Sequence, residues 1–83
     1  MTWRIEIDRR AEREMAKLPN AILRRLVEHV RDLANDPFPR GIKKLHGGGY
    51  RLRVGDYRIL CLVKDRELLV LVVSVGHRKD VYR

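Results

Sequence analysis

The stretch Tyr50-Arg51-Leu52-Arg53-Val54-Gly55-Asp56-Tyr57-Arg58-Ile59-Leu60 is typical of a tight β-hairpin. Two short alternating runs of apolar and charged residues flank Gly55-Asp56, and a pair of this kind is a favoured two-residue hairpin loop. A loop of two residues sets the register of the two strands. The predicted pairs are Val54–Tyr57, Arg53–Arg58, Leu52–Ile59 and Arg51–Leu60.

This register predicts that three arginines project from one side of the sheet, namely Arg51, Arg53 and Arg58. Side chains alternate between faces along a strand, and directly opposed residues share a face. Like charges that stand opposite each other destabilise a sheet, by roughly 0.2–1 kcal/mol for a pair such as Arg53 and Arg58. We therefore expect the arginines to bind an anion.

The composition indicates one small domain, residues 1–83, with an acidic partner. The chain is 45% hydrophobic and has a formal net charge of +8, with a pI near 10.4. Residues 43–83 carry ten Lys/Arg against four Asp/Glu, whereas residues 1–42 carry nine against seven. The positive excess therefore lies in the half that contains the hairpin. Nucleic acid, anionic lipid and acidic protein are the partner classes that such a charge favours.

Several other classes of protein and site are excluded. The single cysteine, Cys61, allows no disulfide within the chain and no cysteine-based metal site. Asp56, Asp65 and Asp80 are scattered without the spacing of metal ligands, so we expect no metal and no cofactor. Residues 3–13 are too rich in charge for a signal peptide, and no apolar run approaches the roughly 20 residues of a membrane span. The expected location is the cytoplasm.

The order of periodic segments predicts an α+β fold with the layout β-α-α-β-β-β. The predicted elements are a strand over residues 3–7, helices over 8–18 and 20–35, the two strands of the hairpin, and a last strand over 68–75 that is central and buried on both faces. A helical hairpin would pack on one face of a small, mainly antiparallel sheet. The arginines would then occupy the open face, because the other face must meet apolar helices.

The candidate residues suit phosphodiester chemistry. Arginine does not lose its proton in proteins, so the three arginines bind phosphate and stabilise charge on it rather than act as bases. Arg78 follows the last strand and could join them. RNA cleavage by its own 2′-hydroxyl also needs a proton acceptor and a proton donor, for which Tyr82 and His77 are the candidates. Lys43 and Lys44 could add phosphate contacts. The residues alone thus indicate a basic nucleic-acid-binding domain, with nuclease activity left open.

Two segments resemble the RelE toxins of toxin–antitoxin pairs, within the RelE/ParE superfamily. They are Tyr50 to Arg58 and Val73-Ser74-Val75-Gly76-His77-Arg78-Lys79-Asp80-Val81-Tyr82. The resemblance implies a compact toxin that enters the ribosomal A site and cuts messenger RNA there without a metal. It also implies a cognate antitoxin wrapped around the toxin, so that the isolated chain is expected to self-associate.

The residues that carry catalysis in that family fall here on Arg51, Arg53, Arg58, Arg78 and Tyr82. The best-known members have lysines at the first two of these positions, which leaves Tyr82, or else His77, as the proton acceptor. The hairpin turn and the spacing from Arg78 to Tyr82 are also shorter than in those members. We expect the remaining positive surface, including Lys43, Lys44 and Arg83, to bind RNA.

Two alternative functions fit the same fold. A ParE-like toxin would inhibit DNA gyrase by binding protein and would need neither the arginine cluster nor the tyrosine. A non-catalytic RNA-binding module would keep the arginines for affinity alone. Mapping of messenger RNA ends on translating ribosomes separates these functions from the ribosome-dependent endoribonuclease that we expect.

Overall fold

The computed structural model describes residues 2–77 and confirms the predicted architecture of two helices on one face of a sheet. The elements are β1 (Arg4–Ile7), α1 (Arg9–Ala16), α2 (Asn20–Asp32), β2 (Lys43–Lys44), β3 (Gly49–Val54), β4 (Tyr57–Lys64), a 3₁₀ turn (Asp65–Glu67) and β5 (Leu69–His77). The two-residue strand β2 was not predicted. Lys43 and Lys44 are consecutive charged residues between Ile42 and Leu45, so this segment lacks the alternation by which a half-buried strand is recognised.

The sheet has five strands in the order β1-β5-β4-β3-β2. The pairs β2–β3, β3–β4 and β4–β5 are antiparallel, whereas β1 runs parallel to β5. The first strand therefore pairs with the last one, and β5 has a neighbour on each side. The prediction that β5 is buried on both faces was wrong, because Leu71 and Val73 on its open face are only half-buried.

The helices begin where the sequence predicts. The side chain of Asp8 caps α1 and accepts a hydrogen bond from the amide of Arg10 at 3.4 Å. Pro19 occupies the N-cap of α2, so the short connection after α1 ends at this proline and the second helix begins directly after it. Helix α2 ends at Asp32, and the amide of Ala34 then bonds the carbonyl of Arg31, which is the tighter pattern of a 3₁₀ turn.

The core lies between the helices and one face of the sheet. Its buried members are Ala11, Met15, Leu26, Val30, Leu33, Leu52, Val54, Ile59, Cys61, Val70, Val72 and Val75. The Cys61 thiol is free and buried, and burial raises its pKa from 9.0 to about 11. A raised pKa keeps the thiol protonated and unreactive at neutral pH.

The end of β5 extends past β1 and is covered by α1 instead. Strand β1 stops at Ile7, opposite Val72, and β5 contains a bulge before it continues to His77. In place of a neighbouring strand, the carboxylate of Glu14 accepts hydrogen bonds from the Ser74 hydroxyl and from the Val75 amide. A side chain of α1 thus covers a strand edge that would otherwise expose unpaired backbone groups.

Within residues 2–77, no helix has the length and hydropathy needed to cross a bilayer.

Candidate nucleic-acid interface

The arginine hairpin has the predicted register at every position. The observed pairs include Arg53–Arg58, Leu52–Ile59, Val54–Tyr57 and Arg51–Leu60. Gly55 has a φ of 60° and stands first in the loop, which suits the type II′ turn that joins strands with their natural twist. No other residue type adopts this conformation as readily, so the turn and the register both depend on Gly55.

The faces of the hairpin are separated by polarity. Leu52, Val54 and Ile59 point into the core beneath the helices and are 5% exposed or less. Because side chains alternate along each strand, the guanidinium groups of Arg51, Arg53 and Arg58 lie on the opposite, open face. The structure therefore brings together the three arginines that the sequence singled out.

Strand β2 adds a fourth cation to this face. Lys43 pairs with Arg51 across the β2–β3 ladder and therefore shares its face, whereas Lys44 pairs with Tyr50 and faces the other way. We call Lys43, Arg51, Arg53 and Arg58 the basic cluster. The sequence placed both lysines at the RNA, but the register separates them, and only Lys43 belongs to the cluster.

The members of the basic cluster differ in how firmly they are held. Arg53 is exposed, and its Nε donates a hydrogen bond to the carbonyl of Gly55 at 3.2 Å. Arg51 and Arg58 are half-buried and each takes part in a further interaction. A half-buried guanidinium is less screened by water, so it attracts an anion more strongly than an exposed one. The cluster thus concentrates positive charge on the open face of the hairpin.

His77 lies apart from the basic cluster. It pairs with Tyr57 across β4–β5, and the two rings meet edge to face with centroids 5.6 Å apart. Tyr57 pairs in turn with Val54, so this row belongs to the face that carries the helices. The residue of β5 that stands opposite Arg58 is Gly76. The ring of His77 therefore does not share the face of the arginines.

The other predicted site residues, Arg78, Tyr82 and Arg83, lie outside the described residues. Their roles stay predictions. Within residues 2–77, no group of three or more His, Cys, Asp or Glu side chains is arranged to hold a metal ion.

The open face also carries apolar side chains beside the basic cluster. Leu60 and Leu62 of β4 and Leu71 and Val73 of β5 are half-buried there. Leu62 pairs with Leu71 across the β4–β5 ladder, and Leu60 pairs with Arg51 across the β3–β4 ladder. We call these four residues the open-face patch. Apolar surface next to a charged cluster is typical of a protein-binding site.

A cleft that the sequence did not reveal lies on the other side of the hairpin turn. It has a volume of about 230 Å³ and is lined by Ile22, Arg25, Val54, Gly55, Asp56 and Tyr57. We call it the turn cleft. Arg25 is an exposed residue of α2, and a charged side chain in such a position usually contacts only solvent. The only signal for another role is that it follows Ile22 by three residues, a spacing that puts both on one side of the helix.

Comparison with known proteins identifies the family. A family model described as the ParE toxin of the type II toxin–antitoxin system, parDE, matches residues 5–82. The chain belongs to the RelE/ParE toxins. This toxin is 33% identical to toxin RelG of Mycobacterium tuberculosis over 86 residues, which covers 100% of this chain and 99% of that protein.

Solved structures show the same fold with antitoxin present. The toxin is similar to a chain of the RelBE2 toxin–antitoxin complex of Mycobacterium tuberculosis, with a TM-score of 0.85, 32% identity, and coverage of 96% of this chain and 95% of that one. It is also similar to a chain of the archaeal RelE–RelB complex of Pyrococcus horikoshii, with a TM-score of 0.82, 27% identity, and coverage of 98% and 100%. The toxin is therefore a RelE-like member of a type II toxin–antitoxin system.

Proposed function

We propose that this toxin is a ribosome-dependent endoribonuclease that cuts messenger RNA in the A site and so stops translation. The observation that carries the proposal is the basic cluster. Four cations lie on one sheet face, with Arg53 directly opposite Arg58 and Lys43 opposite Arg51, and a phosphodiester between such like charges would offset their repulsion. The RelE-like fold and the relatives named RelG and RelE support the same activity.

The reaction needs no group beyond the RNA and side chains of this kind. The 2′-oxygen attacks the adjacent phosphorus, the bond from phosphorus to the 5′-oxygen breaks, and a 2′,3′-cyclic phosphate and a 5′-hydroxyl result. The 2′-hydroxyl proton passes to a base, and the 5′-oxygen takes up a proton as it leaves. The phosphorane between these states carries two negative charges. Guanidinium groups stabilise it because they bind more tightly as that charge develops.

Roles follow from position and from the family resemblance. Arg53 and Arg58 hold the scissile phosphate between them, and Arg51 with Lys43 binds the backbone that continues along β3. Arg78 stabilises the transition state, and Tyr82 serves as the proton acceptor or as a stacking platform for the base at the cut. The face on which His77 lies makes it the weaker candidate for proton transfer.

The cognate antitoxin is the second partner in the proposal. The open-face patch adjoins the basic cluster, since Leu60 is the direct cross-strand neighbour of Arg51. An antitoxin segment with apolar residues over the patch and acidic residues over the cluster would complement both. Such a segment would neutralise the cations that the RNA needs. Inhibition and catalysis would then compete for the same side chains.

Inhibition of DNA gyrase is the alternative, and the match to the ParE family model favours it. Gyrase inhibition proceeds through protein contacts and does not require Arg53 and Arg58 to stand opposite each other. A toxin of that kind would block supercoiling and leave messenger RNA intact.

The deciding experiment adds purified toxin to translating ribosomes and maps the ends of the messenger RNA. We expect cuts in phase with the codons, and we expect Arg58→Ala and Tyr82→Phe to abolish them. Arg66→Ala is the matched control, because Arg66 is an exposed arginine in the 3₁₀ turn and should cut like the wild type. Intact messenger RNA together with blocked supercoiling by gyrase would establish the alternative.

A further inference from the structure

A glycine stands in the row of the sheet that carries the two facing arginines. Arg53 of β3 pairs with Arg58 of β4, and Arg58 pairs with Gly76 of β5, so the three residues lie side by side across the open face. Two of these positions carry a long cationic side chain, and the third carries none. The row therefore ends in a gap over the main chain of β5, next to Arg58. We call this space over Gly76 the glycine gap.

The backbone of β5 does not require a glycine at this position. In the described part of the chain, the glycines with a positive φ do not include Gly76, which lies in the extended strand Leu69–His77. The bulge of β5 does not require it either. The register shift falls between Leu60 and Cys61, and Gly76 pairs with Arg58 in the regular ladder beyond it. Other residue types would therefore fit the backbone conformation of Gly76.

A glycine inside a strand weakens the sheet. It has more conformational freedom in the unfolded chain than any other residue, and it offers no side chain to pack against its neighbours. Strand β1 stops at Ile7, opposite Val72, so within residues 2–77 no strand pairs with β5 on that side of Gly76. The carboxylate of Glu14 holds the amide of Val75 there instead. The glycine thus lies where the sheet already depends on a helix for support.

Close approach of another molecule's backbone is a further reason for a glycine within a strand. Arg53 and Arg58 attract a phosphodiester, and in RNA that group belongs to a chain that continues on both sides of it. A side chain opposite Arg58 would begin about 5 Å from the Cβ atom of the arginine, in the space through which the RNA would continue. Without that side chain, the ribose–phosphate backbone can lie against β5 and pass over the edge of the sheet.

We infer that Gly76 is a substrate-binding determinant of the toxin, because the glycine gap gives the RNA backbone a passage beside Arg58. The passage begins at the facing arginines and crosses β5 beyond the point where β1 stops. Its role is steric. A strand of RNA needs the gap, whereas a single phosphate ion needs only the arginines. The inference rests on the proposed function for the identity of the strand as messenger RNA, but binding through the gap can be measured without the ribosome.

The test adds a side chain at Gly76 and makes the same change at a second strand glycine. Gly49 of β3 pairs with Leu62 and lies on the same open face. A methyl group placed on Gly49 would lie 3.6 Å and 3.8 Å from its nearest neighbours, which is ordinary van der Waals contact. Gly49→Ala is therefore the matched control for Gly76→Ala, and Gly76→Val fills the gap further. Fluorescence anisotropy measures how the full-length proteins bind a five-nucleotide RNA, 2′-O-methylated so that it resists cleavage.

We expect RNA affinity to fall while stability is kept or gained. Gly76→Val should weaken RNA binding about tenfold or more, and Gly76→Ala less, because the added methyl groups obstruct a fitted site. Gly49→Ala should change RNA binding by less than about twofold. The urea midpoints of both Gly76 variants should equal or exceed that of the wild type, since a side chain favours the strand. Inorganic phosphate, titrated against the ¹⁵N signals of the arginine side chains, should bind all the proteins alike.

Four results would each overturn the inference. Wild-type RNA binding by Gly76→Val, or an equal loss in Gly49→Ala, would show that the gap is not needed. Lower urea midpoints in both Gly76 variants would make the glycine a requirement of the fold. Loss of inorganic phosphate binding in Gly76→Val would mean that the added side chain displaces Arg58 rather than obstructs the strand. Failure of the wild type to bind the RNA would leave the gap without an occupant.

Failure of the proposed function has a different signature. RNA binding that depends on Gly76, together with uncut messenger RNA on translating ribosomes, would remove the nuclease and keep the passage. Cuts by Gly76→Val at the wild-type rate would keep the nuclease and remove the passage.

Discussion

The Oε1 atom of Glu14 accepts a hydrogen bond from the backbone amide of Val75 at 2.9 Å. The same oxygen accepts the hydroxyl proton of Ser74 at 3.0 Å, and the other carboxylate oxygen lies 3.6 Å from Nε of Arg10. Val75 is followed by Gly76, which stands opposite Arg58. A single carboxylate of α1 therefore holds the segment of β5 that passes beside the basic cluster.

Replacement of Glu14 by alanine should destabilise the toxin. It leaves the part-buried amide of Val75 and the buried hydroxyl of Ser74 without their acceptor, so we expect the free energy of unfolding to fall by about 1–3 kcal/mol. Urea denaturation followed by circular dichroism measures the change. Glu28→Ala on the exposed face of α2 is the control and should change stability by less than about 0.5 kcal/mol. Equal effects of the two substitutions would contradict this role of Glu14.

Arg53→Ala should make the toxin more stable and less active. It removes one of two like charges that face each other, so the free energy of unfolding should rise by about 0.2–1 kcal/mol at low salt, and salt should diminish the gain. The same substitution should slow cleavage on ribosomes by ~10²-fold, because an electrostatic donor to the phosphorane is lost. Arg66→Ala should leave both quantities unchanged. A loss of stability in Arg53→Ala would show that the pair does not repel.

Lys43 and Lys44 are adjacent in sequence and should differ in function. Lys43 shares the face of Arg51, whereas Lys44 faces the other way with Tyr50. Lys43→Ala should weaken the binding of a short RNA, 2′-O-methylated so that it resists cleavage, severalfold and should lower the salt dependence of binding by about one phosphate contact. Lys44→Ala removes the same charge from the neighbouring position and should do much less. Equal losses would mean that net charge alone attracts the RNA.

Cys61 should make the stability of the toxin fall in alkaline solution. Burial raises the pKa of its thiol from 9.0 to about 11. The unfolded chain therefore releases the thiol proton at a lower pH than the folded chain does. The contribution of the thiol to stability is complete below pH 9 and is lost as the pH rises toward about 11.

Comparison with Cys61→Ala isolates this contribution, because the other titrating groups are common to both proteins. Urea midpoints measured from pH 8 to pH 11 should fall more steeply for the wild type than for the variant. In addition, a thiol reagent at pH 8 should label the wild type only after denaturation. Parallel curves for the two proteins would show that the thiol titrates normally in the folded state.

The parts of the fold that local chemistry determines could be predicted from the sequence. The Gly55-Asp56 loop fixes the register of the hairpin, so the pairing of Arg53 with Arg58 was predictable. Asp8 and Pro19 mark the helix starts for equally local reasons. Strand β2 and the parallel pairing of β1 with β5 depend on contacts between distant segments, and periodicity within one segment contains no information about them.

The candidate site was predictable to the same extent. The basic cluster follows from alternation along two adjacent strands, but the position of Lys43 in it follows from a ladder that the sequence did not predict. The turn cleft depends on the way α2 packs over the hairpin. Arg25 and Asp56 are 31 positions apart in the numbering, and each is an ordinary surface residue by itself. Only the packing of the helix shows that they line one cleft.

The pairing of β1 with β5 also limits when the sheet can be completed. Arg4 meets Leu69 and Ile7 meets Val72, so β1 gains its strand partner only after residues 69–72 have been synthesised. Contacts between such remote segments form late in folding, because a long loop must close before they are made. The sheet is thus completed only after its first and last strands have both been synthesised and have met.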